Sequence, residues 1–303
     1  MAHSHSHSHT HSHPHTHDQE GRNLGMAFFL NLSFTLIEIV GGLWTQSVAI
    51  LADAVHDLGD SLSLGLSWYF QRLSRRPQDQ HFTFGYQRFA LLGAVVNGMV
   101  LILGSILVLM TAVPRLWAPE QPETGGMIAL AVVGILVNGL AVLHLRGGHS
   151  LNSRMAALHL LEDVLGWGAV LVGAIVMRFV DWPTLDPLLS IGITTWVLFQ
   201  VYKNLRGAFT IFLQGVPEGA DSQELKAKLE ALPAIDSVHD LHLWTLDGSE
   251  TIFSAHLRLC EAAGQGDEAQ VREQVRQLLA EVGIHHSTLQ VEAAEEPCPM
   301  RES

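Results

Sequence analysis

His56 and Asp60 stand four residues apart in SVAILADAVHDLGDSLSLG, and His159 and Asp163 repeat that spacing in NSRMAALHLLEDVLGWGAVLVGA. On a helix, positions i and i+4 share one face. Two such helices facing one another present two imidazoles and two carboxylates to one point. That is the ligand number and the N/O chemistry of a tetrahedral zinc site. The two carboxylates also offset the charge of a divalent cation, which is costly to bury alone. Neither Cys nor Met is among the four, which argues against Cu(I).

Both stretches are otherwise apolar, and ionisable groups inside a membrane helix cost about 2.5–3.5 kcal/mol each near its centre. A single His-x-x-x-Asp pair can be a structural hydrogen-bonded pair. Two identical pairs without a neighbouring Lys or Arg call for a cation or protons. Asp53, Asp57 and Glu162 share these helices. Asp57 and Glu162 adjoin the four and point partly away, so each can line a water path or pair with another helix. Glu38, alone in the preceding apolar stretch, is open to the same readings. Asp79 and His81 make at most a weak surface pair, and a metal site there is not expected.

The elements that must carry these residues are six apolar segments, at about 24–44, 48–71, 88–113, 126–145, 155–178 and 187–205. Each is long enough to cross roughly 30 Å of hydrocarbon as a helix, the form in which a backbone satisfies itself there. Hydrophobic residues are 48% of the chain and charged residues only 16%, against about 25% charged in an ordinary soluble domain. The lipid bilayer is therefore an expected partner. If the N-terminus is cytoplasmic, one side of the membrane carries Arg22, Arg72, Arg75, Arg76, Arg88, Arg146, Arg154, Lys203 and Arg206, and the other only Arg115 and Arg178. That asymmetry predicts both termini in the cytoplasm.

The net charge of -13 excludes nucleic acid as an expected partner. Two cysteines, Cys260 and Cys298, build neither a disulfide framework nor a Cys-rich zinc site. Histidine occupies every odd position from His3 to His17, a low-complexity run expected to be disordered and suited to collecting metal weakly. Past the membrane segments, Asp221 and Glu224 read as a capping box, and Leu225, Leu229 and Leu232 as a helical stripe. Strands are expected at about 237–246, 250–259 and 287–293, with a helix started by Asp267 and Gln270 between the last two.

The reading is thus a disordered His-rich tail (1–22), a six-helix transmembrane domain (23–208), a cytoplasmic α+β domain of order αββαβ (209–293) and a disordered tail (294–303). No HExxH motif or general-base set accompanies the four ligands, so an enzyme is not expected, and no organic cofactor is implied. A metal sensor or store remains open: it would bind metal and carry no flux.

NLSFTLIEIVGG, SVAILADAVHDLGDSLSLG, FTFGYQRFALLGA and NSRMAALHLLEDVLGWGAVLVGA, with the later SVHDLHLWTLDG and HHSTLQVE, resemble the cation diffusion facilitator family of metal–proton antiporters. The resemblance runs in order over most of residues 24–293. It implies a homodimer, efflux of divalent metal ions, zinc first, against protons as counter-ion, and a metallochaperone-like αββαβ domain. Its transport site falls on His56, Asp60, His159 and Asp163; two His with two Asp is the version linked to zinc, whereas Asp in place of the first His admits cadmium more readily. It implies a regulatory zinc site on His239, His256 and Glu292 in some members, with Gln290 where others have a further His, and His242, His285 and His286 as further imidazoles of that domain. Arg88 falls where the family often places a basic residue to pair with an acid near the end of the sixth helix; Gln214 stands there instead. Source and membrane are expected to be the bacterial inner membrane.

Overall fold

A computed structural model describes residues 15–74, 76, 78–145, 151–261 and 268–298. Six long helices come first: α1 (His15–Thr45), α2 (Val48–Ser74), α3 (Phe89–Arg115), α4 (Thr124–Leu145), α5 (Leu151–Val180) and α6 (Leu185–Phe212). Then follow α7 (Ser222–Glu230), β1 (Ile235–Thr245), β2 (Thr251–Leu259), α8 (Glu268–Glu281) and β3 (His286–Glu292). The chain divides into two compact units, residues 1–72 with 96–202, and residues 73–95 with 203–303.

The long helices match the six expected segments. Five contain stretches long and apolar enough to cross a membrane. The other is α2, whose 27 residues include Asp53, Asp57 and Asp60. Large side chains such as Leu36, Val40, Leu107, Met110, Leu140, Val172 and Phe199 lie on the outside, the pattern of helices whose solvent is lipid. One difference concerns the His-rich tail, expected to be disordered over 1–22. Helix α1 already runs from His15, because extending a formed helix adds one hydrogen bond per residue fixed and needs no apolar partner. The earlier part of the histidine run lies outside the described residues, as does Asp267 of the expected α8 start.

Helix α2 is the hub of the first unit. Ala49 and Ile50 share a buried core with Met127 and Ala131 of α4 and Trp167, Val170 and Ala174 of α5. Val48 and Ala52 pack with Val108 and Ala112 of α3. Close approach depends on glycine at two places. A Cβ on Gly59 would stand 2.4 Å from Leu101 Cδ2, and one on Gly134 would stand 2.5 Å from the Trp167 indole. Small residues at helix contacts are how membrane helices gain dispersion contact without a hydrophobic drive between them.

Polar clasps complete the hub. Asn31 Nδ2 donates to Asp57 O (3.2 Å) and Ser61 Oγ (3.1 Å), and Asn97 Nδ2 donates to Ser63 Oγ (2.7 Å). At the start of α2, the Asp186 carboxylate on α6 accepts from Ser47 Oγ (2.6 Å), Val48 N (2.8 Å) and Ala49 N (3.3 Å). The first amides of a helix have no partner inside it. A carboxylate from a distant helix supplies it here.

In the second unit the sheet order is β1-β2-β3, with β1–β2 antiparallel and β2–β3 parallel. The order αββαβ is the expected one. Asp221 caps α7, accepting from Gln223 N and Glu224 N, as its sequence context indicates. Side chains alternate across a sheet, so Phe253, Ala255 and Leu257 of β2 join Val238 of β1 against Leu229 of α7 and Val275 and Leu279 of α8 in one core. Fully burying each of the Val, Leu and Phe side chains is worth about 1.5–3 kcal/mol. The opposite face of the sheet is left to the alternate residues.

Residues 294–298, expected to be part of a disordered tail, are held in place. Glu296 N donates to Ala293 O at 3.1 Å, and Arg258 Nη2 donates to Glu296 O at 2.9 Å. A short polar segment without apolar stripes is ordered by such bonds to side chains, which no local pattern announces. Residues 299–303 lie outside the described residues.

Candidate functional site

The first constellation is built by α2 and α5. Their 3.6-residue repeat puts His56 beside Asp60, and His159 beside Asp163, on facing surfaces. His56 Nε2 lies 3.6 Å from Asp60 Oδ2 and 3.9 Å from Asp163 Oδ1, and His159 Nε2 lies 3.2 Å from Asp60 Oδ2. The two rings meet edge to face, centroids 6.0 Å apart. One ligand atom from each of the four residues falls within 4.8 Å of all the others. Asp163, 10% exposed, has Oδ1 buried without a hydrogen-bond partner, whereas His159 is 42% exposed. The site is therefore closed on one side and open on another.

Three more carboxylates lie near the four. Asp53 and Asp57 on α2 and Glu38 on α1 are buried. Among the described residues, no lysine or arginine pairs with any of them. Glu162 points outward and is exposed.

The second constellation lies on the sheet face opposite the helices. His239 of β1 is the direct cross-strand partner of His256 of β2, and Glu292 of β3 pairs with Arg258, two positions along β2. Period two then puts His239, His256 and Glu292 on one face. A bulge follows His239, where Asp240 has φ 48°, a left-handed conformation that Asp tolerates better than most residues. His239 Nε2 lies 3.3 Å from Glu292 Oε2, and His256 Nδ1 lies 2.8 Å from Glu292 Oε1. The Glu292 carboxyl is 1% exposed. Burial pushes its pKa up, but hydrogen bonds from Cys298 and His256 and the charges of both imidazoles outweigh that and hold it below the usual carboxylate value.

Cys298 is the residue of this cluster that the sequence reading passed over. Its Sγ lies 3.3 Å from His256 Nδ1. The one signal was a cysteine six residues after a strand that ends on a ligand-type carboxylate. Asp240 was passed over too, with Oδ2 3.6 Å from His256 Nε2 and Oδ1 2.9 Å from His242 Nε2. His285 and His286 are exposed and stand apart from the cluster; His286 Nδ1 lies 4.0 Å from Glu250 Oε1.

The loop before α3 uses Asp79 for its own shape. Tyr86 OH donates to Asp79 Oδ2 at 2.6 Å, and His81 N and Phe82 N donate to Oδ1 at 2.8 and 2.7 Å. The Tyr86 bond, then the two amides, lower the Asp79 pKa. Arg88 Nε is buried without a hydrogen-bond partner among the described residues.

Comparison with known proteins decides the family. Residues 24–213 match the cation efflux transmembrane domain and residues 217–294 the cytoplasmic domain of cation efflux proteins. The chain belongs to the cation efflux family. The family is one of metal-ion transporters that span a membrane. Relatives of this cation efflux protein include the metal cation efflux system protein CzcD of Cupriavidus metallidurans, 35% identical over 91% of this chain and 87% of its own length. The cadmium, cobalt and zinc/H(+)-K(+) antiporter of Bacillus subtilis is 33% identical over 90% of each chain. The zinc transporter ZitB of Escherichia coli is 35% identical over 93% of this chain and 90% of its own. A solved structure of the metal-bound C-terminal domain of a CzcD transporter is 31% identical over 24% of this chain and 99% of its own, with a TM-score of 0.22.

Proposed function

We propose that this cation efflux protein exports zinc from the cytoplasm in exchange for protons, through His56, Asp60, His159 and Asp163. The convergence of one ligand atom from each of the four residues within 4.8 Å carries the reading. Two imidazoles and two carboxylates suit zinc, and the carboxylates offset its charge at a depth where a bare ion is unstable. These groups bind metal only when deprotonated, so metal and protons compete for them. Metal enters from the cytoplasm onto the deprotonated ligands. Helices α2 and α5 then shift and the site opens outward. Protons arriving from outside then compete for the same four ligands, and the metal leaves. No covalent step is needed.

The distribution of Lys and Arg supports both termini in the cytoplasm, and the bacterial relatives support the inner membrane. The match to the family's cytoplasmic domain supports a homodimer. His239, His256 and Glu292 form a second, regulatory metal site on the cytoplasmic sheet; the buried Glu292 Oε2 and His239 Nε2, 3.3 Å apart without a well-formed hydrogen bond, fit a cation there.

The deciding experiment is zinc uptake into inverted or reconstituted vesicles under an imposed pH gradient, with Asp163→Ala beside the unaltered protein. Gradient-driven uptake that vanishes in the variant is the expected result. Zinc binding without flux in the unaltered protein overturns the transport reading and leaves a binding protein.

A further inference from the structure

The cytoplasmic sheet carries a fourth donor, delivered by the chain after it leaves the sheet. Residues 293–296 form a turn, closed by Glu296 N donating to Ala293 O and Ala293 N donating to Glu296 Oε2, both at 3.1 Å. Arg258 of β2 holds the turn through Glu296 O. The chain thereby crosses the helix-free face of the sheet, and Cys298 arrives over His256. One donor atom each from His239, His256, Glu292 and Cys298 lies within 4.8 Å of all the others. Two of these residues turn buried atoms toward one another here, Glu292 Oε2 and His239 Nε2, 3.3 Å apart and without a well-formed hydrogen bond.

Resting on the reading that this face binds metal, we propose that Cys298 is the fourth ligand of that site, and that a bound zinc or cadmium ion clamps residues 293–298 onto β2. A thiolate and a carboxylate together offset a divalent charge. Two imidazoles complete a set of four, the number of a closed structural zinc site with no position for a reacting water. A thiolate ligand favours zinc and cadmium over the oxygen-preferring cations. It also separates this site from the membrane tetrad, which contains no sulfur. The C-terminal segment thus becomes a reporter of cytoplasmic metal: ordered when the ion is bound, loosened when it is withdrawn.

The test is cobalt titration of the full-length protein in detergent, followed by absorption. Thiolate bound to cobalt gives a near-ultraviolet charge-transfer band that imidazole and carboxylate ligands do not. The band is expected in the unaltered protein and in Cys260→Ser, and lost in Cys298→Ser. The latter should still take up cobalt through His239, His256 and Glu292, with affinity reduced by at least the roughly 10–100-fold that loss of an outer-shell partner costs. In a second measurement, zinc should slow alkylation of Cys298 and a chelator should restore it. Cobalt binding that depends on His239 but shows no charge-transfer band, or a band unchanged in Cys298→Ser, overturns the proposal and leaves a three-ligand site. No cobalt binding that responds to His239→Ala overturns the cytoplasmic site itself.

Discussion

Asp186 lies 126 residues beyond Asp60 in sequence, yet its carboxylate holds the helix that carries half the membrane tetrad. Replacing it with Ala strands Val48 N, Ala49 N and the Ser47 hydroxyl in an interior where Asp186 itself is only 1% exposed. A buried donor left without a partner costs about 1–3 kcal/mol. Ser47 Oγ still accepts from Ile50 N at 3.2 Å, so part of the cap survives and the low end of that range applies to each stranded group. The sum is about 3 kcal/mol. Asp186→Asn keeps one acceptor oxygen and loses the charge that favours a helix N-terminus, itself worth about 0.3–2 kcal/mol, so it should cost about 1 kcal/mol. For a unit of this size 1 kcal/mol corresponds to about 2–4 °C in melting temperature. The expected falls are therefore about 6–12 °C for Ala and about 2–4 °C for Asn, measured on the purified protein in metal-free detergent. Gln121→Ala, which removes an exposed hydrogen bond to Asp181, should stay within about 0.5 kcal/mol. An Asp186→Ala protein that melts with the unaltered one, or an Asn variant as damaged as Ala, would refute the reasoning.

Gly134→Ala should lower the melting temperature through an overpacking cost of about 1–3 kcal/mol, because its Cβ meets the buried Trp167 ring, whereas Gly139→Ala, with nothing within 4 Å, should not; equal shifts in the two would sink the close-packing account of α4 and α5. Asp79 has a pKa below the usual 3.8, so its contribution to loop order is complete above that value and is lost as pH falls through the lower folded-state value. Amide exchange at His81 and Phe82 should stay protected at pH 4 and rise only below that, and Asp79→Asn should remove the pH dependence. Protection that is already lost above pH 4 would contradict the bonding seen here.

The local part of this molecule was legible in its residues. Apolar length marks the membrane helices, and the four-residue spacing of His56 with Asp60 and His159 with Asp163 puts each pair on one face by helix geometry alone. Strand alternation does the same for Phe253, Ala255 and Leu257. Position along a helix or strand repeats at a fixed period whatever surrounds it, so such relations survive without knowledge of the fold.

Which faces meet is another matter. That α2 faces α5 depends on Ala49 and Ile50 packing with Val170 and Ala174, more than a hundred residues away, and on Gly134 of α4 admitting the Trp167 ring of α5. The same holds for Asp186 capping α2, for the bulge at Asp240 beside His239, and for Cys298 returning to His256 from a segment with no apolar stripe. Each is a choice of partner among many sterically allowed ones, made by side-chain volume and by hydrogen-bond donors that burial leaves in need of an acceptor. Short-range periodicity carries no record of that choice, and only the packed tertiary structure decides it.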